Sequence, residues 1–274
     1  KTSLAESVLF MTGVSDRLGK VGDASSIMDY DPDEIKRGHS INSSLAFCEF
    51  NSTKINLLDT PGSSNFIADT PATLRVVDGL VFVVSAVEGV QFYSEKIWKW
   101  ADELNLPRII FLNKMDHERA STVPILDAIK NKFKITPIFI HLPQGVGDNF
   151  SGIVDLIENK IFSYEKNNKG KGKGKGKADD VPSDISDEIE ISHGELIEAV
   201  AEVDDELIEK YLENGELTEE EFSRGLKEGI QNGQLIPVLC GSALENIGVD
   251  LLLEGIVKYL PSPENRIPVK AKNV

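Results

Sequence analysis

The chain has 274 residues, 41% of them hydrophobic, enough to bury a core in one large domain or in one domain carrying a smaller insertion. No run approaches 18 apolar residues, and the patch Val8-Leu9-Phe10-Met11 is too short for a secretory h-region, which argues against membrane insertion and export. The formal charge of −16 does not exclude nucleic acid, because residues 179–221 hold 18 of the 45 acidic side chains with a single lysine and leave the rest near neutral.

The opening KTSLAES starts a helix, with Leu4, Val8 and Leu9 on its apolar side. Lys-Thr at a helix start is what remains of a phosphate-binding loop once its glycine turn is removed. Lys1 would reach the β- and γ-phosphates and the Thr2 hydroxyl would bind Mg²⁺, over a helix N-terminus that favours anions. Cys48 lies further on and Cys240 near the end; neither has metal-ligand spacing, and both fit a reducing cytosol as small core hydrophobes without a disulfide.

Next comes INLLDTPGSSNF, residues 55–66, a short apolar run that stops on Asp59 and turns at Thr60-Pro61-Gly62. Asp-Thr-Pro-Gly is good turn chemistry in its own right. Beside Lys1 and Thr2 it says more: a strand-terminal carboxylate holds the metal from the other side, and the Gly62 amide approaches a γ-phosphate with no side chain in the way.

Four short apolar runs, Ile55–Leu58, Leu80–Ala86, Arg108–Leu112 and Ile236–Cys240, suit strands of a parallel sheet buried on both faces. A helix is expected over Tyr93–Leu104, and the alternation of strand and helix predicts a doubly wound α/β domain. After the third run stands Asn113-Lys114-Met115-Asp116. A carboxylate there accepts two N–H bonds from a guanine edge and rejects adenine, while the lysine stem covers the base. After the fourth run, Gly241-Ser242-Ala243-Leu244 offers backbone amides to the guanine carbonyl. Four such pieces, each at a strand's carboxyl end, predict GTP with magnesium.

Organisation changes near His141. Phe150–Tyr164 reads as short strands, and residues 166–180 alternate Gly and Lys, a composition for a mobile solvated loop whose charge could also touch phosphate backbones. Leu196, Ile197, Val200, Val203, Leu207, Ile208 and Tyr211 mark one face of a single amphipathic helix with acids opposite. A second helix opens on the capping-box pair Thr218 and Glu221. The acidic block is either a solvated face or a docking surface for a basic or helical partner. Residues 141–234 therefore read as an insertion into a domain built from residues 1–140 and 235–263, with 264–274 a linker.

Taken together, the stretches KTSLAESVLFMTG, KRGHSI, INLLDTPG, LRVVDG, AVEGVQFYSEKIW, PRIIFLNKMD, FSGIVDLI and VLCGSALENIGVDLLLEGIVKYLPSP resemble elongation factor G, a ribosome-dependent translational GTPase. The resemblance runs through nearly all of the chain. It implies a P-loop GTPase-type, mostly parallel doubly wound sheet with an inserted α+β subdomain, acting in the cytoplasm as a monomer on the ribosome, its rRNA and its stalk protein. It implies GTP or GDP held by Lys1, Thr2, Ser3, Asp59, Thr60, Pro61, Gly62, Asn113, Lys114, Met115, Asp116, Ser242, Ala243 and Leu244, and Mg²⁺ held by Thr2, Ser40 and Asp59.

Three departures qualify it. The family's glycine turn and preceding strand are absent ahead of Lys1, so an N-terminally truncated fragment is expected, which alone would bind nucleotide weakly or not at all. The family's Arg-Gly-Ile-Thr-Ile is here Arg37-Gly38-His39-Ser40-Ile41, and serine keeps the hydroxyl that meets the metal. Ser63 stands where the family carries the histidine that positions the attacking water. A divergent paralogue with slow turnover is therefore expected; the alternative is one that hydrolyses nothing and uses GTP as a conformational ligand.

Overall fold

The computed structural model describes residues 1–22, 24–165, 174–183 and 185–265. Helices α1 (Thr2–Met11) and α2 (Pro32–Arg37) precede the strands β1 (Ser44–Phe50) and β2 (Thr53–Asp59). Then come α3 (Thr70–Leu74), β3 (Leu80–Ser85), α4 (Phe92–Glu103), β4 (Arg108–Asn113), α5 (Val123–Phe133) and β5 (Pro137–Phe139). A second run holds β6 (His141–Gln144), β7 (Gly152–Asp155), β8 (Lys160–Ser163), β9 (Lys177–Asp180), α6 (Ser186–Ala201), α7 (Asp205–Asn214) and α8 (Glu219–Gln231). The chain then returns through β10 (Ile236–Cys240) to α9 (Val249–Tyr259). Of the expected linker 264–274, residues 266–274 lie outside the described residues.

β3, β4, β10 and β5 pair in that order, all parallel. β4 can sit inside the sheet because both of its faces are apolar. Ile109 and Phe111 pack with Leu4, Val8, Leu9, Leu252 and Leu253 of α1 and α9, while Ile110 and Leu112 pack with Trp98 of α4 and Ile125, Ile129 and Phe133 of α5. Helices on both faces of a parallel sheet make the expected doubly wound class. All four of those β4 side chains are fully buried, each adding about 1.5–3 kcal/mol of transfer free energy.

β2 departs from the expectation that Ile55–Leu58 belongs to this sheet. Asn51 and Ser52 both take positive φ, 46° and 60°, the signature of a two-residue hairpin turn, and β2 therefore pairs antiparallel with β1 in its own ribbon. β5, which was not anticipated, takes the remaining place beside β10.

The inserted region is a four-stranded antiparallel sheet, β6 to β9 in order, followed by the three helices. Of the anticipated Gly/Lys loop 166–180, residues 166–173 lie outside the described residues, and Lys177–Asp180 is a strand in register with β8. Backbone pairing asks nothing of the side chains, so composition hid it. The one long helix expected across 196–211 is two. Asp204 turns extended and caps α7 by accepting from the Leu207 amide at 2.9 Å, ending α6 although the apolar spacing runs on. The capping box at Thr218 and Glu221 forms as its spacing predicts. Cys48 and Cys240 are free and buried. Among the described residues no helix is long and apolar enough to cross a membrane.

Candidate functional site

α1 begins at Thr2 and β2 ends on Asp59, and the fold sets the two side by side. Thr2 Oγ1 donates to Asp59 Oδ2 at 2.6 Å and lies 3.0 Å from Ser40 Oγ, so the three side chains expected to share a metal touch one another. All three residues are buried. Lys1 Nζ donates to the Thr60 hydroxyl at 3.1 Å and to the Pro61 carbonyl at 2.8 Å, spanning the turn after β2. Desolvation pulls the Lys1 pKa below its ordinary value, and the nearby Asp59 charge opposes the shift. Gly62 faces the lysine: a Cβ there would rest 3.7 Å from Lys1 Cε, in ordinary van der Waals contact.

A residue that sequence reasoning missed completes this end. Asp29, buried, accepts from Ser40 Oγ at 2.7 Å through Oδ1, while its Oδ2 has no hydrogen-bond partner among the described residues. Burial raises its pKa; the Ser40 bond opposes this, and the charges of Glu34, Asp59 and Glu6 raise it further. Asp29 stands 27 residues from Thr2 in an irregular segment, so no spacing rule announced it; the only signal was a carboxylate in the loop ahead of Ser40. Two carboxylates and two hydroxyls converging with a lysine nearby are the hard oxygen donors that Mg²⁺ takes, and the idle Asp29 oxygen fits such an ion. Among the described residues no group of three His, Cys, Asp or Glu is placed to hold a metal.

The second end lies at the carboxyl ends of β4 and β10. Asn113 Oδ1 accepts the Lys114 amide and the Ala243 amide, each at 2.9 Å, bracing the two loops against each other. The Ser242–Ile247 loop closes on itself through reciprocal backbone bonds of 3.0 and 2.9 Å. Lys114 takes a positive φ of 68°, and its ammonium pairs with Glu88 at 2.9 Å, an exposed contact worth little by itself. Asp116 Oδ1 is buried with no partner among the described residues, a cost the fold bears unless a ligand donor meets it. Ser242 and Ala243 are buried while Leu244 is exposed. The Met115 side chain is wholly inside the core; its backbone joins Gly241 and Gly147. Ser3 is half-buried on α1. Ser63 caps a 3-10 turn over Ser64–Asp69, its Oγ accepting from the Asn65 amide at 3.4 Å.

The family model for the Elongation factor Tu GTP binding domain matches residues 1–262. The chain belongs to that family. It is also similar to a solved crystal structure from Thermus thermophilus, with a TM-score of 0.86 and 32% identity over 96% of this chain. The match spans 38% of that longer protein. The family makes this a GTP-binding domain of the elongation factor type, a member of a GTPase family.

Proposed function

We propose that this chain is the GTP-binding part of an elongation factor G-like translation factor, a divergent cytoplasmic paralogue that works as a monomer on the ribosome in translocation. The contact of Thr2, Ser40 and Asp59, drawn together from 38 and 57 residues apart, is the observation that supports it best. Residues 1–140 and 235–263 form the nucleotide domain, 141–234 the inserted subdomain whose helices meet the stalk protein, and 264–274 a linker; rRNA is a further partner on the ribosome.

In this reading Lys1, Thr2, Ser3 and the turn Asp59–Gly62 hold the phosphates, while Asn113, Lys114, Asp116 and the Ser242–Leu244 loop hold guanine. Met115 acts from the core by positioning the loop. Thr2, Ser40 and Asp59 hold Mg²⁺, which when bound neutralises charge on the transferring phosphoryl group. Ser63 stands at the water-positioning place with a hydroxyl turned to a backbone amide and no imidazole to orient or accept a proton from water. Hydrolysis is therefore slow. The use of Ser63 as a turn cap also favours the second reading, in which GTP is a conformational ligand that is not turned over.

Single-turnover GTP hydrolysis by the full-length protein, with and without ribosomes, tests this. Ser63→His should raise the ribosome-stimulated rate by about 10²-fold, the lower bound for a positioned proton-transfer group, and leave nucleotide affinity unchanged. A fast parent that the substitution does not improve would refute the slow-turnover reading.

A further inference from the structure

Thr2 and Glu6 stand four residues apart on one face of α1, one turn deeper into the protein. Glu6 is completely buried. Its Oε1 accepts three bonds from a single stretch: Ser26 Oγ at 2.7 Å, the Ile27 amide at 2.7 Å and the Met28 amide at 2.8 Å. Ser26 Oγ in turn accepts the Asp29 amide at 3.0 Å, and Asp29 holds the Ser40 hydroxyl beside Thr2. A second buried carboxylate grips the other end of the loop: Glu34 Oε1 accepts the Ile41 and Asn42 amides at 2.8 and 3.0 Å.

Ser40 thus hangs between two carboxylate clasps, one anchored on the helix that carries Thr2. We infer that Glu6 and Glu34 are positioning residues for the metal site, holding Ser40 and Asp29 against Thr2 and Asp59. The inference rests on the proposed Mg²⁺ and GTP site. It goes beyond that site's donors, because neither glutamate touches the metal cluster directly, and it assigns the loop's order to the protein's own carboxylates. Gly19 gives independent support. A Cβ at that position would collide with Glu6 Oε2, and the backbone there is not in the left-handed region, so the glycine is needed for the carboxylate's space and not for its own conformation.

The experiment titrates a fluorescent guanine nucleotide onto the full-length protein, in EDTA and across a series of Mg²⁺ concentrations, with folding followed by circular dichroism. Residues that orient metal ligands typically contribute 10–100-fold to metal affinity. Glu6→Ala, Glu34→Ala and Gly19→Ala should therefore each raise the Mg²⁺ concentration needed for half-maximal tightening by about tenfold, with affinity in EDTA unchanged. Glu6→Gln, which keeps the Oε1 acceptor, should recover most of the loss. Gly19→Ala alters no charge and keeps the test alive if Glu6→Ala fails to fold. A parent that tightens with Mg²⁺ beside folded variants that tighten at the same concentration overturns the inference alone. A parent indifferent to Mg²⁺ overturns the proposed site and the inference with it.

Discussion

The nucleotide end and the inserted region are built by opposite means. At the nucleotide end the deciding contacts are side chain to side chain or side chain to amide across great sequence distances, as between Thr2 and Asp59 or Asn113 and Ala243. In the inserted region, much of the order is local: neighbouring strands pair in sequence, and the ends of α7 and α8 are fixed by caps three residues away, although Asp250 of α9 also accepts from Tyr164 and the Gly176 amide. On the proposed reading, the first arrangement concentrates function in a few groups, each costly to lose. The second spreads stability over many small terms and leaves an acidic surface free to vary.

The contrast is sharpest at Asp116. Its buried Oδ1 lacks a partner among the described residues, and hydrogen bonds to charged groups contribute about 1.5–3 kcal/mol each. If Asp116 accepts the two guanine N–H groups as proposed, Asp116→Asn replaces one of the two accepting oxygens with a donor. GTP affinity should fall by about 10²–10⁴-fold on titration, while xanthine nucleotide binding improves. Unchanged GTP affinity would mean that this end is as tolerant as the inserted region, and the comparison would fail.

That asymmetry also decided what could be read from the sequence. Lys1-Thr2, Asp59–Gly62 and Asn113–Asp116 were legible as candidates because each sits at the end of a regular element, the start of α1 or the carboxyl end of β2 or β4. Asp29 and Glu6 were not, since the loop between Arg17 and Ser40 has no period and its path is set by contacts to α1 that no local pattern encodes. In the inserted region the apolar stripe across Leu196–Tyr211 masked the break at Asp204, where a single capping oxygen outweighs periodicity. The strand β9 was hidden because its residues are all exposed and polar or small. The hairpin turn at Asn51-Ser52 was overlooked for want of glycine, although asparagine tolerates the left-handed region.

An intermediate effect is expected inside the antiparallel sheet, where one buried pair breaks the rule of local, weak terms. His141 Nε2 lies 3.5 Å from Asp155 Oδ2, and Asp155 Oδ1 accepts the Ile157 and Glu158 amides at 2.7 and 3.0 Å. Burial alone would raise the Asp155 pKa; the His141 hydrogen bond and charge, with those two amides, outweigh it and hold the carboxyl below its ordinary value. A depressed folded-state pKa stabilises above the unfolded value, about 3.9, and the contribution is lost as pH falls through the folded value. Asp155→Asn should cost about 1–3 kcal/mol near neutrality, and denaturant melts should show the difference from the parent shrinking below about pH 4. A gap that stays constant with pH would assign the loss to packing and return this pair to the weak majority.

The smallest effect belongs to the acidic helices. Glu209 and Glu213 are exposed on α7, four residues apart on one face, and neither is in an ion pair among the described residues, whereas Glu206 and Glu221 are tied to Lys210 at 2.8 and 2.6 Å. Reversing the two free acids, Glu209→Lys with Glu213→Lys, should leave folding within about 0.5 kcal/mol of the parent, as surface changes away from caps and partners do. If this face docks a basic or helical ribosomal partner, the same change removes steering charge. Stopped-flow association with ribosomes should then slow several-fold at low salt, and the difference should fade as the Debye length shrinks toward about 3 Å near 1 M. A solvated face predicts equal rates at both salt concentrations. Equal rates would retire the docking surface while leaving the nucleotide end untouched, because no contact of Thr2, Asp59 or Asp116 runs through α7. A slower rate that persists at high salt would point to a shape or packing contact, with the exposed Leu212 between the two acids the first side chain to truncate.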